Sequence, residues 1–146
     1  MSMMRVYVAG AYNNKTVVRE VQAIVQTHGH IVTYDWTNGI DVSGIDDQRL
    51  QLRTHAEADR WGVEAANLLV IVWDSPTYPY RGTCTEMGIA LGKGIRIVSI
   101  DLQPPLDTEE TTYRRNPFYH LKEIVHLDSL DAFVVWLTSS DCSQTQ

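Results

Sequence analysis

Leu68-Leu69-Val70-Ile71-Val72-Trp73 is an unbroken apolar run of six residues, bounded by polar and turn-forming positions. That length and composition read as a central parallel strand covered on both faces. Asp74 to Tyr80 cannot continue it, because Pro76 and Pro79 intervene. Next comes Arg81-Gly82-Thr83-Cys84-Thr85-Glu86-Met87-Gly88-Ile89-Ala90-Leu91-Gly92-Lys93-Gly94, which predicts a helix over Thr83 to Lys93, closed by Gly92 and Gly94. Ile95 to Ile100 is then a second buried strand. Strand, loop, helix and strand in this order put Glu86 on the first turns of a helix, just beyond the carboxyl ends of two strands. In open α/β sheets, ligands bind at that edge.

The same alternation extends in both directions. Arg5 to Ala9 reads as strand one, ending at Gly10. Thr16 to Thr27 places Val17, Val18, Val21, Ile24 and Val25 on one helical face, and Gly29 stops that helix. His30 to Trp36 is expected as strand two and Thr37 to Asp47 as a loop. Asp47 to Asn67 reads as mostly helical, with a break near Thr54. After strand four, Asp101 to Arg115 reads as a long surface loop. Ile124 to Leu127 is a short fifth strand, and Ser129 to Ser139 a closing helix capped by Ser129 or Asp128. The pattern predicts an α/β fold: a flavodoxin-like three-layer sandwich around a five-stranded parallel sheet of order 2-1-3-4-5. Its crevice lies between strands one and three, bordered by Gly10 to Lys15 and Asp74 to Thr85.

At 146 residues, 44% hydrophobic and 21% charged, the chain matches one soluble domain. We expect that domain over residues 1–140 and a frayed tail over 141–146. No apolar run reaches membrane-spanning length, and Met1-Ser2-Met3-Met4-Arg5 shows no secretory pattern, so a cytoplasmic protein away from membranes is expected. Cys84 and Cys142 form no metal-ligand spacing, which suits a reduced compartment. A net charge of −6 without a Lys/Arg stripe argues against duplex nucleic acid. A free nucleotide needs only one local pocket.

Each candidate residue also has a plain structural explanation. Glu86 could simply complement a helix dipole, but Gly82 and Gly88 around it suggest that backbone or ligand approaches closely. Gly82, Thr83 and Glu86 share the first turns. Asp59 reads as a solvated helix acid or a partner of Arg60 or Arg53, with Glu57 and Glu64 equal rivals by spacing. Tyr7 reads as a core tyrosine, of interest only if its hydroxyl reaches Glu86. The loop Gly10-Ala11-Tyr12-Asn13-Asn14-Lys15 could offer amides to an anion, with Lys15 to neutralise it. It carries neither a dinucleotide nor a Walker pattern. Trp36, Trp73, Tyr78 and Tyr80 could stack on a flat base, whereas Trp61 and Trp136 look like core or interface residues. The five histidines show no close pairing, so no metal site is expected, and Cys84 reads as a small buried residue.

Val6-Tyr7-Val8-Ala9-Gly10, an Asp-bearing helix running into Ala66-Asn67-Leu68-Leu69-Val70, and Gly82-Thr83-Cys84-Thr85-Glu86-Met87-Gly88-Ile89-Ala90 together resemble the nucleoside 2-deoxyribosyltransferase family. Asn116-Pro117-Phe118-Tyr119-His120-Leu121 resembles a segment of its microbial members. The resemblance implies a flavodoxin-like enzyme that cleaves the N-glycosidic bond of a nucleoside or nucleotide, without a cofactor. It implies Glu86 as the nucleophile at C1′, Tyr7 as the residue orienting it, and Asp59 as the acid that handles the base proton. A leaving base puts positive charge on the sugar, which a carboxylate can stabilise and trap. The second carboxyl must then be protonated, which calls for burial or a like charge nearby. Gly10, Tyr12, Lys15, Trp36, Arg81, Gly82 and Thr83 are the candidate substrate contacts. Asn116 is a candidate contribution to a neighbouring subunit, so a homo-oligomer is expected.

One departure stands out. Well-studied transferases carry an aspartate a few residues before the nucleophile, where this chain has Tyr78-Pro79-Tyr80-Arg81. Base recognition must differ, and Arg81 suggests contact with a base carbonyl or a phosphate. The expected reaction is transfer of 2-deoxyribose between bases. The alternatives are a deoxynucleoside monophosphate hydrolase using the same nucleophile, and a non-catalytic nucleotide-binding module.

Overall fold

The computed structural model describes residues 2–39, 41–105, 110–139 and 142. Its strands are β1 (Arg5–Ala9), β2 (Ile31–Val32), β3 (Leu68–Trp73), β4 (Arg96–Asp101) and β5 (Val125–Leu127). Its α-helices are α1 (Lys15–Thr27), α2 (Arg49–Glu64), α3 (Arg81–Gly92) and α4 (Leu130–Leu137). All strand pairs are parallel, in the order β2-β1-β3-β4-β5, as the alternation predicts. This is the flavodoxin-like arrangement.

The pleat sorts the core into two layers. Val6, Val8, Leu68, Val70 and Val72 point to one face, where Val18, Val21 and Val25 of α1 and Phe133 and Leu137 of α4 cover them. Tyr7, Ala9, Leu69, Ile71 and Trp73 point to the other, against Val63 of α2 and Met87 and Ala90 of α3. β3 is buried at all six positions, which explains its lack of polar alternation. Each fully buried aliphatic side chain here contributes about 1.5–3 kcal/mol. The period-two pleat sends Tyr7, not Val6 or Val8, toward α2 and α3.

Strand two is much shorter than His30 to Trp36. Pairing stops after Val32 because side chains take over the hydrogen bonds. The Trp36 indole Nε1 donates to Val8 O at 2.7 Å, a carbonyl that further strand pairing would use. The Asp35 carboxylate caps a 3-10 turn at Trp36–Asn38 by accepting from Thr37 N. Burial works against the Asp35 charge, but hydrogen bonds from Thr37 and Gln22 outweigh it and hold its pKa low. Arg19 also donates twice to Thr37, at 3.0 Å each. The turn carrying Trp36 is therefore fixed to α1.

Other expectations need smaller corrections. No break interrupts α2 at Thr54, whose hydroxyl donates back to Leu50 O at 3.0 Å within the helix. α3 starts two residues early, at Arg81, and Tyr80 precedes it in the left-handed region at φ 53°. The polar segment after β4 is less loop-like than its composition suggests, with 3-10 turns at Tyr113–Arg115 and Pro117–His120. Ser129 caps α4, accepting from Ala132 N at 3.0 Å. Trp136 is core, whereas Trp61 is 58% exposed. Of the tail 141–146, only Cys142 is among the described residues, and it is buried with its sulfur 3.7 Å from that of Met4.

Candidate active site

The site is built where β1, α2 and α3 meet at the carboxyl edge of the sheet. Tyr7 is fully buried on β1, and its hydroxyl donates to Glu86 Oε2 at 2.5 Å. Glu86 lies on the second turn of α3, half-buried. Thr83, one turn earlier, donates from Oγ1 to Gly10 O at 3.1 Å and ties the helix to the end of β1. The third member comes from α2. Asp59 is half-buried, and its Oδ1 is shielded from solvent with no hydrogen-bond partner among the described residues.

Gly62 explains how α2 comes so close. A Cβ there would stand 2.8 Å from Tyr7 Cδ2 and Cε2 and 2.8 Å from Tyr34 Cβ. Only a glycine lets the helix rest on the tyrosine ring. Asp59, three residues earlier, shares that helix face. No local pattern marks this contact, which is why Asp59 reads from the sequence as a solvated acid. The expected partnership with Arg60 is absent: Arg60 instead faces Glu64 at 3.4 Å, with its side chain 70% exposed.

The electrostatics follow from the burial. Desolvation pushes Glu86 up to about 8; the Tyr7 hydrogen bond pulls the other way, and the nearby Asp59 charge adds to the rise. Asp59 is also raised, mainly by burial, against weaker opposing pulls from His55 and Tyr7. Tyr7 is held far above its ordinary value by burial and by both carboxylates, so it stays a hydrogen-bond donor. Two carboxyls in one cavity wall, both with raised pKa values, resist ionising together, so one keeps its proton at a pH where a free carboxyl has lost it.

These groups open onto a cavity of about 300 Å³. Its wall includes Tyr7, Asp59 and Glu86, and also Gly10, Tyr12, Trp36, Gly82 and Thr83. A Cβ at Gly82 would meet nothing within 4 Å, so that glycine leaves space on the cavity side. Gly88 also has open space beyond it, and so does not serve close packing against the sheet. Tyr12 and Trp36 stack with ring centroids 6.4 Å apart. An adjoining chamber of about 540 Å³ shares Tyr12, Trp36 and Asp59 with the first.

Three predicted contacts stand outside the first cavity's wall. Lys15 lies over the Tyr12 ring, 4.7 Å from its centroid. Arg81 is exposed at the start of α3. Asn116 caps the 3-10 turn at Pro117–His120 by accepting from Phe118 N, and its amide reaches Cys84 Sγ at 3.5 Å. Conversely, Tyr80 matters more than its sequence suggests. Its hydroxyl accepts from the amides of Asp74 (2.8 Å) and Ser75 (3.0 Å) and donates to Asp74 Oδ1 (2.7 Å). Asn14 also donates to that carboxylate, joining the loops after β1 and β3. Tyr80 thereby braces the left-handed turn that aims α3. The only advance sign was its place in a proline-flanked loop. Among the described residues, no three His, Cys, Asp or Glu side chains gather to hold a metal, and no helix is long and apolar enough to cross a membrane.

Fold and cavity define an α/β small-molecule protein of the flavodoxin-like class, with a buried carboxyl pair at the switch point of its sheet. More narrowly, the nucleoside 2-deoxyribosyltransferase family model matches residues 6–118, and the chain belongs to that family. Membership gives nucleoside deoxyribosyltransferase-type function in general, with small nucleosides and nucleobases as substrates. Among solved structures, the chain is similar to a conserved protein from Enterococcus faecalis V583, at 19% identity and a TM-score of 0.57. That match covers 92% of this chain and 96% of the other, and it speaks for the fold alone. No curated protein matches.

Proposed function

We propose that the protein cleaves the N-glycosidic bond of a 2′-deoxynucleoside or its monophosphate and transfers the deoxyribosyl group to a second base. The observation that carries this reading is the short Tyr7–Glu86 hydrogen bond, with Asp59 in the same cavity wall. A Glu86 oxygen attacks C1′ while the C1′–N bond breaks, its electron pair passing to the base. Asp59 gives its proton to that base nitrogen. In the second half, a nitrogen of the incoming base displaces Glu86 from C1′ and yields its proton to Asp59. The first half needs Glu86 charged and Asp59 protonated; in the second Glu86 is held as its ester and Asp59 is the free carboxylate. Burial that raises the Asp59 pKa supports its holding the proton at the start. The Tyr7 hydroxyl holds the attacking carboxylate by a hydrogen bond it cannot lose by ionising.

Tyr12 and Trp36 supply aromatic faces for a base. Asn116, beside the 57% exposed Phe118, lies outside its own chain's cavity, which is consistent with a role in a neighbouring copy. The test is incubation with deoxynucleosides and their monophosphates, with and without a second free base. A new nucleoside is expected. Free sugar or sugar phosphate would replace transfer by hydrolysis. Binding without base release, and without a covalent adduct to a 2-fluoro sugar analogue, would leave only a binding module.

A further inference from the structure

His55 belongs to the chamber that adjoins the catalytic cavity, and so does Asp59. The two lie four residues apart on α2, which stacks them on one helix face. Gly39 gives the imidazole its seat: a Cβ there would come within 2.7 Å of His55 Cε1 and 3.0 Å of Nδ1. The ring is thus wedged between α2 and the turn that carries Trp36, at the outer side of Asp59. From the geometry we infer that His55 is a positioning residue, and that its charge decides which carboxyl of the pair holds the shared proton.

This rests on the function proposed above and adds a control to it. Among the described residues, the following titratable groups line the chamber with His55 or stand behind it. Asp59 shares its helix, and Asp41 and Tyr12 line the same chamber from the neighbouring loops. Glu86 and Tyr7 stand behind Asp59, in the wall of the inner cavity. Asp41 sits at the exposed mouth of the chamber, where its own loop hydrogen-bonds it through Ser43 N. Asp59 is the carboxyl that a charge on His55 biases more, because Glu86 lies farther in. A protonated imidazole favours Asp59 as the anion and so leaves the proton on Glu86. That arrangement has an acid where the nucleophile should be and an anion where the proton donor should be. A neutral imidazole removes the bias, and Asp59 can hold the proton while Glu86 attacks. A neutral side chain at position 55 should therefore favour turnover, and a fixed positive charge there should oppose it.

The test compares kcat/KM for base release against pH in the parent, His55→Gln and His55→Lys. His55→Gln is neutral at every pH, so its acid limb should be less steep. Its ratio of activity at about pH 6 to that at about pH 8.5 should be at least about fivefold above the parent's. His55→Lys keeps a fixed charge and should lose about tenfold or more at the upper pH. A merely structural role would make the two replacements behave alike. An acid limb unmoved by His55→Gln overturns the assignment, provided that Glu86→Ala still abolishes turnover. Base release that survives Glu86→Ala overturns the underlying reading instead.

Discussion

Two carboxyls in this molecule, one buried and one half-buried, are hydrogen-bonded by tyrosine, with opposite results. Asp101, at the end of β4, is 7% exposed. It accepts from Tyr113 and Tyr119 at 2.6 Å each, from Arg114 Nε at 2.9 Å and from Gln103 N at 3.1 Å. Burial opposes its charge, but Arg114 and the two hydroxyls outweigh burial and hold its pKa below the usual range. Among the described residues Glu86 has one tyrosine bonded to it, a second carboxyl nearby and no bonded guanidinium. Arg60 of the same cavity wall is paired with Glu64, and burial pushes Glu86 up to about 8. The first charge is fully occupied and serves the fold. The second remains under-satisfied and is available to an incoming positive centre. Burial alone does not set the charge state of a carboxyl; whether a cation is bonded to it decides.

Glu86→Ala probes the reactive side of this contrast and has the largest expected effect. Base release should fall by at least about a thousandfold, with the circular dichroism spectrum unchanged. Near-normal release would put Glu86 in the same class as Asp101.

Arg114→Met tests the structural side. It leaves the buried Asp101 charge without its cation and should cost about 3–5 kcal/mol in a denaturant titration. Activity per folded molecule should survive. If stability barely changes, the tyrosines alone satisfy Asp101 and the contrast loses its cause.

Glu86→Gln sharpens the comparison through pH. Glu86 binds its proton more tightly folded than unfolded. Its contribution to stability is thus full below the unfolded carboxyl range and is lost as pH rises toward about 8. The amide never ionises, so the variant should gain stability over the parent, by roughly 2–4 kcal/mol at about pH 9 and little at about pH 4. Asp101 has the reverse sign: its contribution is present above the unfolded carboxyl range and fades as pH falls through its lowered folded value. Melting temperatures across pH separate the two.

Tyr7→Phe has the smallest expected effect, a fall in kcat of roughly 10–100-fold from loss of the hydrogen bond to Glu86. An unchanged kcat would mean that Glu86 is placed by packing alone.

Much of this was legible in the chain because it was local. The run Leu68 to Trp73 states its own burial, and Gly82-Thr83-Cys84-Thr85-Glu86 follows it at a sheet edge. What residue spacing alone does not give depends on contacts far apart in sequence, although the family resemblance points to Asp59. Asp59 reaches the cavity because Gly62 lies on the ring of Tyr7, 55 positions away, and no periodicity encodes that. Strand two looked long because Ile31 to Trp36 is rich in β-formers; the indole bond to Val8 ended it. The backbone of Tyr80 is left-handed although glycine is the usual residue there, and its buried hydroxyl network offsets a strain of about 1–2 kcal/mol.

The abbreviated β2 has a further consequence. The sheet's two borders are strands of only two and three residues, and an indole plugs the continuation of the shorter one. Neither margin offers a ladder on which another polypeptide could lay itself down in register. Copies of this molecule that associate must therefore meet through helices and loops, and the chain is guarded against fibril-like growth from its most β-rich layer.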